Sequence, residues 1–146
     1  MRLNGQSNLL QFALINLLQV EMRIPDGAEF AEPDENVHFS SVFVFHKDSK
    51  TIHDDDTLMY FDPDHVSCCV SMLGARKNLL QFHLTLTSGG LKKGPGSMQA
   101  FKEWVQKLIV DWDFDNICTA HYGVVKGGAR KMLSETIATY ERNKVM

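Results

Sequence analysis

Apolar positions along the chain predict helices toward both ends. The stretch Met98–Trp112 carries apolar side chains at three- and four-residue spacing, which predicts an amphipathic helix with Ser97 as its N-cap. Residues 129–142 repeat this spacing and predict a last helix. Residues 6–20 are apolar nearly all round, so they predict a buried helix, or a helix running into a strand at 18–24.

Short apolar runs between these segments predict strands. Residues 41–46 predict a strand because residues 42–45 form a continuous apolar run, a polar turn follows, and residues 51–54 complete a predicted hairpin. Residues 57–61 make a separate short apolar segment. Residues 117–120 predict a strand that lies between the last two helices and ends at His121. This alternation of strand, glycine-bearing turn and helix indicates the α/β class.

Composition narrows the function classes. The chain has 146 residues, which predicts a single domain over 1–146, and its hydrophobic fraction of 44% is ordinary for a globular protein. Its net charge is −3 and it has no basic block, which argues against nucleic acid or an anionic membrane as partner. No segment approaches the ~18 consecutive apolar residues of a membrane span.

The cysteines indicate a reducing compartment. The chain has three, Cys68, Cys69 and Cys118. Adjacent cysteines do not pair easily with each other, and an odd number suits the cytoplasm. We therefore expect three buried thiols in a cytoplasmic protein. No C-x-x-C spacing supports the alternative, a zinc site made from these cysteines.

Three side chains that could bind a metal lie at predicted strand ends. His38 precedes the first strand of the hairpin, Asp56 follows the second, and His121 ends the late strand. Imidazole and carboxylate together suit zinc or iron. The structural alternatives are a hydrogen-bonded strand-end histidine and a solvated acidic turn. We assign structural roles to the other histidines, His46, His53, His65 and His83.

The order of these features resembles the second half of the metallo-β-lactamase fold. A histidine, a hairpin, Asp56-Thr57-Leu58, a long insertion, a helix, a strand and His121-Tyr122-Gly123 follow one another over roughly residues 37–142. The stretch 41–56, SVFVFHKDSKTIHDDD, is similar to a hairpin of uncharacterised members of that superfamily. The resemblance implies an α/β fold that is the C-terminal half of an αββα sandwich, a short mixed sheet with flanking helices. It also implies a domain that is incomplete at its N-terminus.

The resemblance also implies a function. Members of the superfamily are metal-dependent hydrolases, in which residues matching His38 and His121 hold metal ions and a residue matching Asp56 bridges them. Zinc is the implied metal, iron is the alternative, and a metal-free chain is the third outcome. The family's H-x-H-x-D-H motif does not occur, and Asp55 stands where the family usually has glycine. We therefore expect an incomplete metal site and little or no activity.

A non-enzymatic function is the alternative. Half of an αββα sandwich leaves one apolar face of its sheet uncovered, and such a face usually binds a partner. The partner would be a second copy of the chain or another protein. No general base or oxyanion donor stands out, so the sequence defines no reaction, and a partner-binding or truncated α/β domain remains the second interpretation.

Overall fold

In the part of the chain that the structure describes, the fold is mixed α/β, with a six-stranded sheet and two helices. A computed structural model describes residues 19–29, 42–63, 76–83, 86 and 89–142. The predictions for the segment before residue 19 and for His38, His65, Cys68 and Cys69 lie outside the described residues.

The strands and helices follow the predicted order with local differences. In chain order the elements are β1 (Val20–Arg23), β2 (Phe43–His46), β3 (Thr51–Tyr60), β4 (Leu80–Phe82), α1 (Ser97–Asp111), β5 (Asn116–His121), β6 (Val124–Val125) and α2 (Ala129–Arg142). The strand prediction near 18–24, the hairpin and both helices are confirmed. No helix in the described part of the chain combines the length and apolar content that crossing a bilayer requires.

The sheet is organised around β3. Its path is β1-β2-β3-β5-β6, and β4 pairs with β3 off this path. The β3–β5 pairing is parallel, whereas β1–β2, β2–β3, β3–β4 and β5–β6 are antiparallel. Because β3 has ten residues, it pairs with β2 through its first half and with β4 through its second half.

β3 corrects one prediction from the sequence. We expected a strand at 51–54 and a separate segment at 57–61, but one strand runs through both. Between these two segments β3 contains a bulge. The bulge is seen in the register with β5, which jumps from Asp54–Thr119 to Met59–His121. The carboxylates that looked like a turn therefore lie in an irregular part of a continuous strand.

Both helices cover the same face of the sheet. Along that face the cross-strand row Phe45, Ile52, Ile117 and Val125 is buried. It belongs to one core with Phe101, Val105 and Leu108 of α1 and Ala129, Leu133 and Ile137 of α2. Each large apolar side chain buried there contributes roughly 1.5–3 kcal/mol relative to exposure. Among the described residues, this core therefore lies between the sheet and the layer formed by α1 and α2.

The other face of the sheet carries a different row. Met22, Val44, His53, Cys118 and Val124 are cross-strand partners on it, and none of them is fully buried. Met22 is 66% exposed and Val124 is 37% exposed. The Cys118 thiol is free and half-buried, which corrects the expectation of a buried thiol. We call this row the open face.

Backbone geometry, and not a side-chain cap, starts α1. The N-cap is Gly96, whose φ is 97°, and no side chain caps the helix. Gly96 instead accepts a hydrogen bond from the Ala100 amide at 2.9 Å through its carbonyl oxygen. Glycine permits this left-handed conformation, so the prediction of Ser97 as N-cap is wrong, and Ser97 is the first helical residue.

Trp112 fixes the edge strand β1 against the end of α1. Its ring is 1% exposed and stacks on Phe45 at a centroid distance of 5.2 Å. Its Nε1–H donates to Glu21 Oε2 at 2.8 Å, and the Arg23 guanidinium lies 4.8 Å from the ring centroid. A hydrogen bond from Lys47, then the one from Trp112, lowers the pKa of Glu21. One indole thus connects the helix to two strands.

Candidate functional site

Two of the three predicted metal ligands meet in the structure. His121 Nε2–H donates to Asp56 Oδ1 at 2.7 Å, across 65 positions of sequence. The two side chains are 48% and 42% exposed, so the pair is open to solvent. The third predicted ligand, His38, lies outside the described residues.

The sheet topology creates this meeting. β3 and β5 are parallel neighbours, so they run toward the same edge of the sheet. His121 is the last residue of β5, and Asp56 lies within the bulge of β3 beside it. The carboxyl ends of parallel strands are where α/β proteins usually bind ligands.

A buried carboxyl lies at the start of the bulge. Asp54 is 0% exposed, and its Oδ2 accepts a hydrogen bond from the Leu58 amide at 2.7 Å. Its Oδ1 has no hydrogen-bond partner. Burial raises the pKa of Asp54 well above its usual value, against the lowering effect of the Leu58 hydrogen bond. The charged form of this carboxyl is therefore disfavoured.

A second histidine lies beside the pair. The rings of His83 and His121 stack at a centroid distance of 5.6 Å and an interplanar angle of 27°. The His83 amide donates to the Thr57 carbonyl at 2.9 Å, which connects the end of β4 to the bulge. Sequence reasoning missed this position, because only the β3–β4 register brings His83 here.

His46 and His53 lie away from this site. His46 Nδ1 lies 2.7 Å from Ser49 Oγ within the β2–β3 turn, and His53 is exposed on the open face.

The turn after His121 is closely constrained. Thr119 Oγ1 lies 2.7 Å from the His121 carbonyl oxygen and 2.8 Å from that of Gly123, and its hydroxyl donates to them. Tyr122 has a φ of 77°, and its ring stacks on Phe61 at 4.7 Å. These contacts fix the backbone that carries the His121 ring.

Asp56 and His121 carry side-chain donors of the types that metal sites use. No group of three or more histidine, cysteine, aspartate or glutamate side chains among the described residues is arranged to hold a metal. Structural zinc takes four ligands, each about 2.0–2.2 Å from the ion, which places two ligand atoms about 3.3 Å apart. The Asp56–His121 contact of 2.7 Å would open slightly to admit an ion. Carboxylate and imidazole are donor types that suit zinc or iron.

Comparison with known proteins adds no relative. No family model, no curated protein and no solved structure matches the chain. The interpretation of the site therefore depends on its own contacts. A solvent-open carboxylate bonded to an imidazole can bind a cation or move a proton.

Proposed function

We propose that this chain is a metallo-β-lactamase-like domain related to metal-dependent hydrolases, with an incomplete metal site and little or no activity by itself. The observation that carries the proposal is the contact between Asp56 and His121. Both residues lie at predicted strand ends, and the resemblance matched them to ligands of one metal site. Their side chains lie in direct contact although the sequence separates them widely.

The layering of the fold supports the same proposal. Half of an αββα sandwich consists of one sheet with helices on one face. Here α1 and α2 share one core with a single face of a mixed sheet. On the open face, where the other half of a sandwich would pack, Met22 and Val124 remain more than a third exposed.

The roles of the residues follow from their donor atoms. Asp56 would bind the ion through a carboxylate oxygen and His121 through Nε2, after release of the hydrogen bond between them. Bound zinc supplies a Lewis acid and lowers the pKa of water to about 7. The three predicted ligands, His38, Asp56 and His121, are two histidines and one carboxylate. This is also a ligand set for iron(II), so iron is the alternative metal.

The expectation of little activity comes from the missing ligands. The H-x-H-x-D-H motif is absent from the sequence, and no two histidines are separated by one residue. A hydrolytic centre of this superfamily draws most of its ligands from that motif. Asp56 and His121 therefore provide a weak cation site, and not a complete catalytic centre.

Elemental analysis of protein purified without chelator tests the proposal. We expect bound zinc or iron in the wild type and its loss in His121→Ala. His46→Ala is the matched control, because His46 is a histidine in a local contact with Ser49. A wild type without metal, or a His121→Ala variant that retains as much metal as the wild type, would reject the proposal.

The open face favours a second candidate, a partner-binding domain without enzymatic activity. Met22, which is 66% exposed, lies at one end of the row that forms this face, and Val124 lies at the other end. A second copy or another protein would cover these residues. Light scattering tests the second copy, which predicts a dimeric mass that falls to the monomer in Met22→Asp. A monomeric wild type at high concentration excludes the homodimer.

A further inference from the structure

The bulge of β3 creates a local hydrogen-bonding problem. A bulge interrupts the ladder and leaves backbone groups without strand partners. Asp54 provides the partner for one such group, because its Oδ2 accepts a hydrogen bond from the Leu58 amide at 2.7 Å. The carboxyl thereby bridges the two ends of the irregular segment. Asp56 lies between the bridged residues.

The position of Asp54 is costly for a carboxyl. Its backbone neighbours across the sheet are Phe43 and Thr119, and it is 0% exposed on the helix-covered face. Oδ1 makes no hydrogen bond there, and burying an unpaired polar atom is unfavourable. An apolar side chain would fit the core better. The contribution of Asp54 must therefore lie in the bulge geometry that its other oxygen creates.

From this geometry we infer that Asp54 is a positioning residue of the site, which closes the bulge and so holds Asp56 Oδ1 against His121 Nε2. The chain of contacts is short. Asp54 bonds the Leu58 amide, the closed bulge fixes the backbone of Asp56, and Asp56 bonds His121. The part of the inference that concerns metal binding rests on the proposed function, but the part that concerns geometry does not.

Two substitutions separate hydrogen bonding from packing. Asp54→Ala removes the acceptor, whereas Asp54→Asn keeps an oxygen of the same reach. In Asp54→Ala we expect rapid hydrogen exchange at the Leu58 amide and a changed ¹⁵N shift of His121 Nε2 in NMR spectra. We expect both signals to stay near their wild-type values in Asp54→Asn. If Asp54→Ala does not fold, Asp54→Ser replaces it, because a serine hydroxyl is too short to bridge the bulge.

A core truncation provides the control for lost stability. Val105 is 1% exposed in α1, so Val105→Ala weakens the core without touching the bulge. A merely structural role for Asp54 predicts that Asp54→Ala and Val105→Ala behave alike. The positioning role predicts a changed His121 signal in Asp54→Ala only.

Zinc titration by calorimetry gives the second measurement. Residues that orient metal ligands typically change affinity by about 10–100-fold when substituted, and we expect a loss of that size in Asp54→Ala. Asp54→Asn and Val105→Ala should stay near the wild type. An unchanged His121 signal in Asp54→Ala would overturn the inference. A wild type that binds no zinc in this titration and carries no iron in the elemental analysis would reject the proposed function, while the His121 signal would still decide the positioning role.

Discussion

Replacement of Trp112 by phenylalanine should cost about 2–3 kcal/mol of unfolding free energy. The indole Nε1–H donates to Glu21 Oε2 at 2.8 Å, and phenylalanine removes this bond. A hydrogen bond to a charged group contributes about 1.5–3 kcal/mol. Because the Glu21 side chain is 37% exposed and also paired with Lys47, we expect the loss of this hydrogen bond to cost about 1 kcal/mol. The smaller ring leaves a void in a site that is 1% exposed, which costs about 1–2 kcal/mol more.

Urea unfolding followed by circular dichroism measures this cost. A change of 2–3 kcal/mol corresponds to a midpoint lower by about 1 M for a domain of this size. In a Glu21→Ala background the same substitution should cost about 1 kcal/mol less, because the hydrogen bond is already absent. Equal costs in both backgrounds would refute the contribution of the hydrogen bond. A total cost below about 1 kcal/mol would refute the packing argument as well.

Acid should reduce the difference between Trp112→Phe and the wild type. The folded state lowers the pKa of Glu21, through Lys47 first and Trp112 second. A lowered pKa means that the folded state favours the ionised form, so this stabilisation is present above the unfolded pKa of about 4.3. It is lost as the pH falls through the lowered folded pKa. The two proteins should therefore differ less in stability at pH 3 than at pH 7.

Two further predictions concern backbone positions with positive φ. A Cβ on Gly27 would overlap the Ser97 carbonyl oxygen, so Gly27→Ala should cost about 3 kcal/mol in thermal unfolding. Gly128 has a similar φ of 70° but no neighbour within 4 Å, so Gly128→Ala should cost only about 1 kcal/mol. Equal costs would show that the close approach contributes nothing. Tyr122 has a φ of 77°, and Tyr122→Ala keeps this strain while it loses the Phe61 stack. Tyr122→Gly relieves the strain and should be more stable than Tyr122→Ala by about 1 kcal/mol, and the reverse order would contradict the strain argument.

Periodic apolar spacing made most of the fold predictable. Both helices and the hairpin follow from local patterns, because an amphipathic segment must place its apolar side toward a core. The start of α1 was less predictable, since serine is a common N-cap. Gly96 is the N-cap because its backbone adopts a positive φ, which the sequence pattern does not reveal. The bulge in β3 could not be predicted from the sequence either. Three consecutive aspartates usually indicate a solvent-exposed turn, whereas here one of them, Asp54, is buried to bond a backbone amide.

The site was partly predictable. Position at predicted strand ends singled out Asp56 and His121, and only the family resemblance joined them in one site, since no local pattern connects residues so far apart. His83 could not be found in this way, because it enters the site through the pairing of β4 with the second half of β3. Pairing registers depend on long-range contacts, which single-sequence patterns do not contain.

The parallel pairing of β3 with β5 has a consequence for the order of folding. The β2–β3 hairpin closes through a short turn, but β4, α1 and their connections lie between β3 and β5 along the chain. Contacts across long sequence separations close slowly, because more chain entropy is lost before they form. The 65 positions between Asp56 and His121 thus make their contact a late event in refolding. During synthesis the aspartate also emerges well before its histidine, so this contact cannot form until β5 has been made.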